Sequence, residues 1–153
     1  MSQVYKNTIK LLKENNISYE ELNHVPVSTS LEASKTRSLS SPKSGVKAMI
    51  VKDNYNNYFL VLVPGDKKID FKKIAILENV NRIYLASSEE VEKVSGVNIG
   101  RVSPIGLKTK LKVYFDKDIL ENEFIYFNPG LHEKSIKMKS KDLLKVLKNP
   151  ILF

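Results

Sequence analysis

A lysine inside an apolar, strand-like run and a glycine-framed loop further along are the residues of this chain best suited to chemistry. Lys47 sits in Gly45-Val46-Lys47-Ala48-Met49-Ile50-Val51. An ammonium flanked by apolar neighbours on a buried strand must find an anion or give up its charge, because desolvating it unpaired is costly. A bound phosphate would be such an anion. The loop Gly100-Arg101-Val102-Ser103-Pro104-Ile105-Gly106 offers a different tool. Its glycines let the backbone come close to a ligand, and Pro104 stiffens the turn so that amide N–H groups stay aimed.

Four segments occur in a fixed order: Gly45 to Val51, then Leu62-Val63-Pro64-Gly65-Asp66-Lys67-Lys68-Ile69-Asp70, then Gly96 to Gly106, and last Phe127-Asn128-Pro129-Gly130-Leu131-His132. On these residues the chain resembles the YbaK/ProX and prolyl-tRNA synthetase editing-domain superfamily of aminoacyl-tRNA deacylases, from about Val27 to Leu147. The resemblance implies a compact α/β fold with a mixed, strongly curved sheet flanked by helices. It also implies roles. Lys47 matches the family's strand lysine, placed near the terminal adenosine's phosphate or the ester. Gly100, Arg101, Val102, Ser103 and Pro104 match the Gly-x-x-x-Pro loop, whose backbone contacts the aminoacyl carbonyl or a ribose hydroxyl; Gly106 closes it. Asn128, Gly130 and His132 match an Asn-x-Gly-x-His motif in which the His anchors substrate. His24, Thr29 and Ser30 fall in a segment that borders the substrate pocket in that family, although a half-buried histidine capping a strand is the better account of His24.

Such a substrate is an ester between an amino acid and a ribose. Its hydrolysis needs water delivered to the carbonyl carbon and stabilisation of the oxyanion that forms. No strong nucleophile is visible: the chain has no Cys, only two His, and no Gly-x-Ser-x-Gly elbow. The same scarcity argues against a thiol or all-histidine metal site, so neither metal nor cofactor is expected. A mechanism built on positioning fits, with backbone donors and the substrate's own ribose hydroxyl handling the proton. Members of the resembled family are thought to work largely that way.

The chain has 153 residues, 42% of them apolar, enough for a single domain, 1–153, with one substantial core. No apolar run approaches the ~18 residues of a membrane span, and the N-terminus lacks an apolar signal core, which points to a cytosolic protein. Lys and Arg outnumber Asp and Glu 25 to 17, for a formal net charge of +8. Such an excess favours polyanions such as RNA, although lysines decorating solvated helix faces give the same count. Lys35, Arg37, Lys43 and Arg101 are candidates to meet acceptor-stem phosphates, or simply a solvated basic face.

The elements that must hold these residues are legible from pattern. Val4, Thr8, Leu11 and Leu12, with Tyr5 and Ile9, have helical spacing over 2–14. Thr29 to Glu32 forms a capping box that opens a short helix to about Arg37, and a Ser/Pro/Lys connector follows. Strands are expected over 17–22, 46–52, 58–63, 82–86, 111–115, 123–128 and 135–139. Asp70 caps a helix with Phe71, Ile74, Ala75 and Leu77 or its neighbour inward, and Ser87 to Glu90 opens one that exits at Gly96. Pro64 to Asp70 reads as scaffold, and Ser140 as the cap of a final helix bearing Leu143, Leu144, Val146 and Leu147. The expected fold is thus α/β (α+β), with about seven strands and about five helices around one mixed sheet.

The expected function is a free-standing aminoacyl-tRNA deacylase acting on the acceptor end of a mischarged tRNA, Ala-tRNA(Pro) ahead of Cys-tRNA(Pro). It would reach that tRNA alone or through an aminoacyl-tRNA synthetase, with no membrane involved. A non-catalytic module that binds tRNA ends or aminoacyl groups is the rival; a small-molecule esterase is disfavoured by the missing nucleophile.

Overall fold

The computed structural model describes residues 2–23 and 42–153. The short helix expected at 29–37, and with it His24, Thr29, Ser30, Lys35 and Arg37, lies outside the described residues.

The first helix, α1 (Gln3–Glu14), begins where the Ser2 side chain accepts the Tyr5 N–H, and it buries Val4, Tyr5, Thr8 and Leu12. Strand β1 (Tyr19–Asn23) follows, then a 3-10 turn at Pro42–Ser44 that leads into β2 (Val46–Asp53). The β2–β3 hairpin (β3, Tyr58–Pro64) is closed by Asp53, whose Oδ1 accepts N–H groups of Tyr55 at 2.8 Å and Asn57 at 2.9 Å. Helix α2 (Phe71–Glu78) is capped by Asp70 as expected, and β4 (Ile83–Leu85) follows it. Helix α3 (Ser88–Ser95) has the full Ser87–Glu90 capping box and leaves through Gly96 at φ 86°. The Glu90 carboxylate also accepts from Lys52 Nζ at 2.8 Å and Tyr58 Oη at 2.6 Å, which pins α3 to the hairpin. The chain ends with β5 (Lys112–Phe115), a 3-10 turn at Lys117–Glu121, β6 (Phe124–Phe127), β7 (Lys134–Lys139), α4 (Ser140–Leu147) and β8 (Ile151–Leu152).

Instead of one mixed sheet of about seven strands, the described residues form eight strands in two sheets, with four α-helices. One sheet is antiparallel, in the order β1-β7-β6; the other is mixed, in the order β4-β2-β3-β5-β8. They meet at a parallel bridge between Gly45 and Tyr126. The larger core lies between the sheets and under α1 and α3. Val46, Ile50, Leu60, Leu62 and Phe115 enter it from the mixed sheet, and Ile125, Phe127, Ile136 and Met138 from the antiparallel one. Alternation sends Val51, Phe59, Val61 and Val63 to the other face of the mixed sheet, where α2 covers them with Ile74 and Ala75.

Three further expectations are corrected. The extra strand, β8, is too short to register as a pattern; it exists because Tyr114 and Phe115 of β5 pair with it in parallel. Ser140 does not cap α4: the cap position is Lys139, and the Ser140 hydroxyl donates to the Asn122 carbonyl at 2.6 Å, a tertiary partner that outcompetes the local one. On α2, Leu77 and Ile76 stay exposed, because the position that continues the stripe of Phe71, Ile74 and Ala75 is Glu78, whose carboxylate accepts from Lys112 Nζ at 2.9 Å and from Tyr114 Oη of β5. The Pro64–Asp70 segment behaves as scaffold: Lys67 Nζ lies 2.7 Å from Asp116 Oδ2 and 2.8 Å from Asp118 Oδ2, bracing the turn after β5.

Candidate active site

Gly100 to Gly106 forms an irregular loop between α3 and β5, and its apolar side chains anchor it. Val102 and Ile105 are buried in the larger core, and Pro104 is buried as well. Ser103 is fully buried: its hydroxyl accepts the Ile105 N–H at 3.3 Å and lies 3.1 Å from the Thr8 hydroxyl of α1. That hydroxyl belongs to the scaffold, so the loop's outward chemistry rests on its backbone and on Arg101.

Asn128 ties this loop to the second motif. Its Oδ1 accepts the N–H groups of Gly130 at 2.8 Å and Leu131 at 2.9 Å, and its Nδ2 donates to the Gly100 carbonyl at 3.4 Å. The turn so formed brings His132 against the loop, with Nε2 3.8 Å from where a Gly100 Cβ would stand. His132 Nε2 and Arg101 Nε are buried atoms without hydrogen-bond partners among the described residues. Burial, and then the neighbouring Arg101 guanidinium, hold the His132 pKa below its ordinary value, so the ring is neutral at pH 7. An imidazole and a guanidinium with unused polar atoms, beside an exposed glycine peptide, are suited to receive polar oxygens.

The depressed pKa of His132 has a measurable consequence. The folded ring binds a proton less readily than the unfolded one, so its effect on stability is absent above about pH 6.5 and destabilising as pH falls below it. In His132→Gln the melting temperature should therefore drop less steeply from neutral to mildly acidic pH than in the wild type. Equal acid slopes would contradict the burial of the ring.

The three glycines of these motifs do different jobs. Gly100 is exposed at φ 87°, and a side chain there would meet only His132 Nε2, in ordinary contact at 3.8 Å. Gly106 and Gly130 instead admit α1. A Cβ on Gly106 would stand 2.7 Å from the Thr8 backbone N, and one on Gly130 3.0 Å from both Ser2 Oγ and Tyr5 N. Helix α1 grips both segments: Asn7 Nδ2 donates to the Gly106 carbonyl at 3.1 Å and Ser2 Oγ to the Gly130 carbonyl at 3.0 Å. Sequence reasoning missed this use of the helix. The signal was a threonine in its apolar stripe, since a buried hydroxyl needs partners.

Lys47 is half-buried on β2, opposite Val63. Its side chain leaves the sheet on the face away from Val102 and Ile105, and among the described residues its ammonium makes no hydrogen bond or ion pair. The parallel Gly45–Tyr126 bridge nonetheless relates it to the site. It sets the start of β2, which carries Lys47, beside β6, which leads into Asn128. Burial depresses the lysine's pKa; Asp66 partly offsets this and Lys68 adds to it. Of the described candidates for acceptor-stem phosphates, Lys43 and Arg101, the first is ion-paired with Glu121 at 3.2 Å.

Comparison with known proteins gives these residues a context. The family model described as "Aminoacyl-tRNA editing domain" matches residues 24–146. The Multifunctional Ser/Thr-tRNA deacylase ProXp-y of Escherichia coli (strain K12) is 27% identical over 149 residues, 95% of this chain and 89% of that protein. A proline–tRNA ligase of Caldicellulosiruptor bescii is 38% identical over 103 residues, 65% of this chain but 18% of the ligase. The crystal structure of a candidate trans-editing enzyme for prolyl tRNA synthetase superposes with a TM-score of 0.84 at 24% identity, covering 100% of this chain and 96% of the other. With the match spanning all four motifs, the chain belongs to the aminoacyl-tRNA editing domain family, whose chemistry is that of an aminoacyl-tRNA hydrolase.

Proposed function

We propose that this protein is a trans-editing deacylase of the cytosol that hydrolyses the ester of a mischarged tRNA, a small amino acid on tRNA(Pro) being the first choice and Ala preferred to Cys. The observation that carries the site is the Asn128 tie. It holds together, in one turn, the exposed Gly100 and the Arg101 and His132 nitrogens that have no hydrogen-bond partner among the described residues.

In this reading the Lys47 ammonium meets the terminal phosphate or the ester, which supplies the anion its half-buried position lacks. Loop N–H groups receive the carbonyl oxygen as it becomes an oxyanion. His132, neutral, orients the substrate by a hydrogen bond from or to Nε2. Water adds to the carbonyl carbon, the bond to the ribose oxygen breaks, and that oxygen takes up the proton water gives away, leaving a free amino acid and a ribose hydroxyl. The relative from Escherichia coli acts on Ser- and Thr-tRNA by its name, which makes those the competing substrates. The homologous segment within a proline–tRNA ligase supports recruitment by a synthetase. Among the described residues no helix is long and apolar enough to cross a membrane.

The test is a deacylation assay on Ala-tRNA(Pro), Cys-tRNA(Pro), Ser-tRNA and Thr-tRNA. Hydrolysis of the first two above the spontaneous rate supports the assignment, and preference for the last two transfers the specificity. Background rates on all four would leave the non-catalytic tRNA-end binder as the function.

A further inference from the structure

Thr8 is a buried polar residue outside the two motifs whose hydroxyl is tied to one of them. It is fully buried in α1, and its Oγ1 lies 2.8 Å from the Val4 carbonyl, 3.1 Å from the Ile105 carbonyl and 3.1 Å from Ser103 Oγ. A hydroxyl has one proton, so these contacts have a direction. The Ile105 N–H donates to Ser103 Oγ; Ser103 O–H donates to Thr8 Oγ1; and Thr8 O–H is shared between the Val4 and Ile105 carbonyls. The chain of donors starts and ends on Ile105, so it closes around one residue of the loop, fixing the peptides on both sides of it. Chains of this kind polarise one another and are worth most where water is excluded.

We infer that Thr8 is a positioning residue for the editing reaction: through Ser103 and Ile105 it fixes the loop whose peptide N–H groups face the substrate, without touching the substrate itself. This rests on the function proposed above. The family match begins at residue 24, so it does not reach Thr8. Three observations point the same way. Gly106, at the end of the loop, lacks a side chain where the Thr8 backbone passes. Asn7 adds a second tie to the Gly106 carbonyl. Ser103, a polar residue in a motif loop, spends its hydroxyl inward on this network.

Thr8→Val keeps the shape and removes the hydroxyl; Thr8→Ser keeps the hydroxyl. On the preferred tRNA, Thr8→Val should lower kcat by roughly 10-fold to 10²-fold, the scale of a small misplacement of catalytic groups, with KM within about twofold of wild type. Thr8→Ser should recover most of the loss. Amide hydrogen exchange at 100–106 should quicken in Thr8→Val while α3 and β5 keep wild-type protection. If Thr8→Val does not fold, Asn7→Ala, on the outer side of the helix, should show the same split with a loss of about threefold to tenfold. A variant with wild-type kcat and loop exchange, or one that only melts earlier, overturns the inference. An inactive wild type would instead overturn the assigned function, and loop exchange alone would then decide whether Thr8 holds the loop.

Discussion

Lys47→Met is expected to lower single-turnover deacylation by roughly 10²–10³-fold, the usual cost of losing one preorganised group that answers developing charge. The melting temperature should stay level or rise. Both follow from one fact: the ammonium is partly desolvated and its pKa depressed, Asp66 offsets this only in part, and among the described residues no carboxylate pairs with it. A methionine keeps the stem's packing against the sheet and removes the charge that the fold disfavours. Lys47→Arg keeps charge but changes its shape and reach, and should restore only part of the rate. Full activity in Lys47→Met would remove the lysine from the mechanism. A fall of many degrees in melting temperature would show that its stem, and not its charge, is what the fold needs.

Gly106→Ala should be the most destabilising single-methyl change among the motif glycines. The new Cβ would meet the Thr8 backbone N at 2.7 Å, Thr8 Oγ1 at 2.8 Å and the Asn7 carbonyl carbon at 3.1 Å, and a helix backbone cannot swing aside as a side-chain tip can. Overpacking of this kind costs about 1–3 kcal/mol and a left-handed alanine about 1–2 kcal/mol more. A total of about 3 kcal/mol is a large part of the stability of such a domain and would lower its melting temperature by roughly 10 °C. Gly100→Ala is the control. It shares the positive φ, at 87°, but has room, with only His132 Nε2 at 3.8 Å, so it should cost only the backbone term. Equal melting temperatures for the two variants would show that α1 does not press on Gly106.

What was legible in the sequence was local. Asp70, the Ser87–Glu90 box and the Gly96 exit are decided within a turn or two of chain, and the structure has all three. The order of the four motifs identified the family because a set of spaced segments carries more information than any one of them. What escaped was decided by distant partners. Strand β8 exists through β5, the Ser140 hydroxyl turned to Asn122, and the single sheet became two joined at Gly45 and Tyr126. The glycines show the limit best. From sequence, Gly106 and Gly130 looked like places where a ligand comes close; the structure shows the body that comes close is the protein's own first helix. Asn128 likewise, expected as a substrate contact, has a second job that sequence did not show, tying two loops together.

The Ser2 hydroxyl and the helix behind it hold the Gly130 turn and the Gly106 end from outside residues 24–146, the span of the editing-domain family match. A fragment trimmed to residues 24–146 would discard that clamp. It would uncover Val4 and Leu12's partners in the core and leave both loops without their outer wall. For anyone expressing, tagging or transplanting this fold, the working boundary must therefore include α1 and its Ser2 cap.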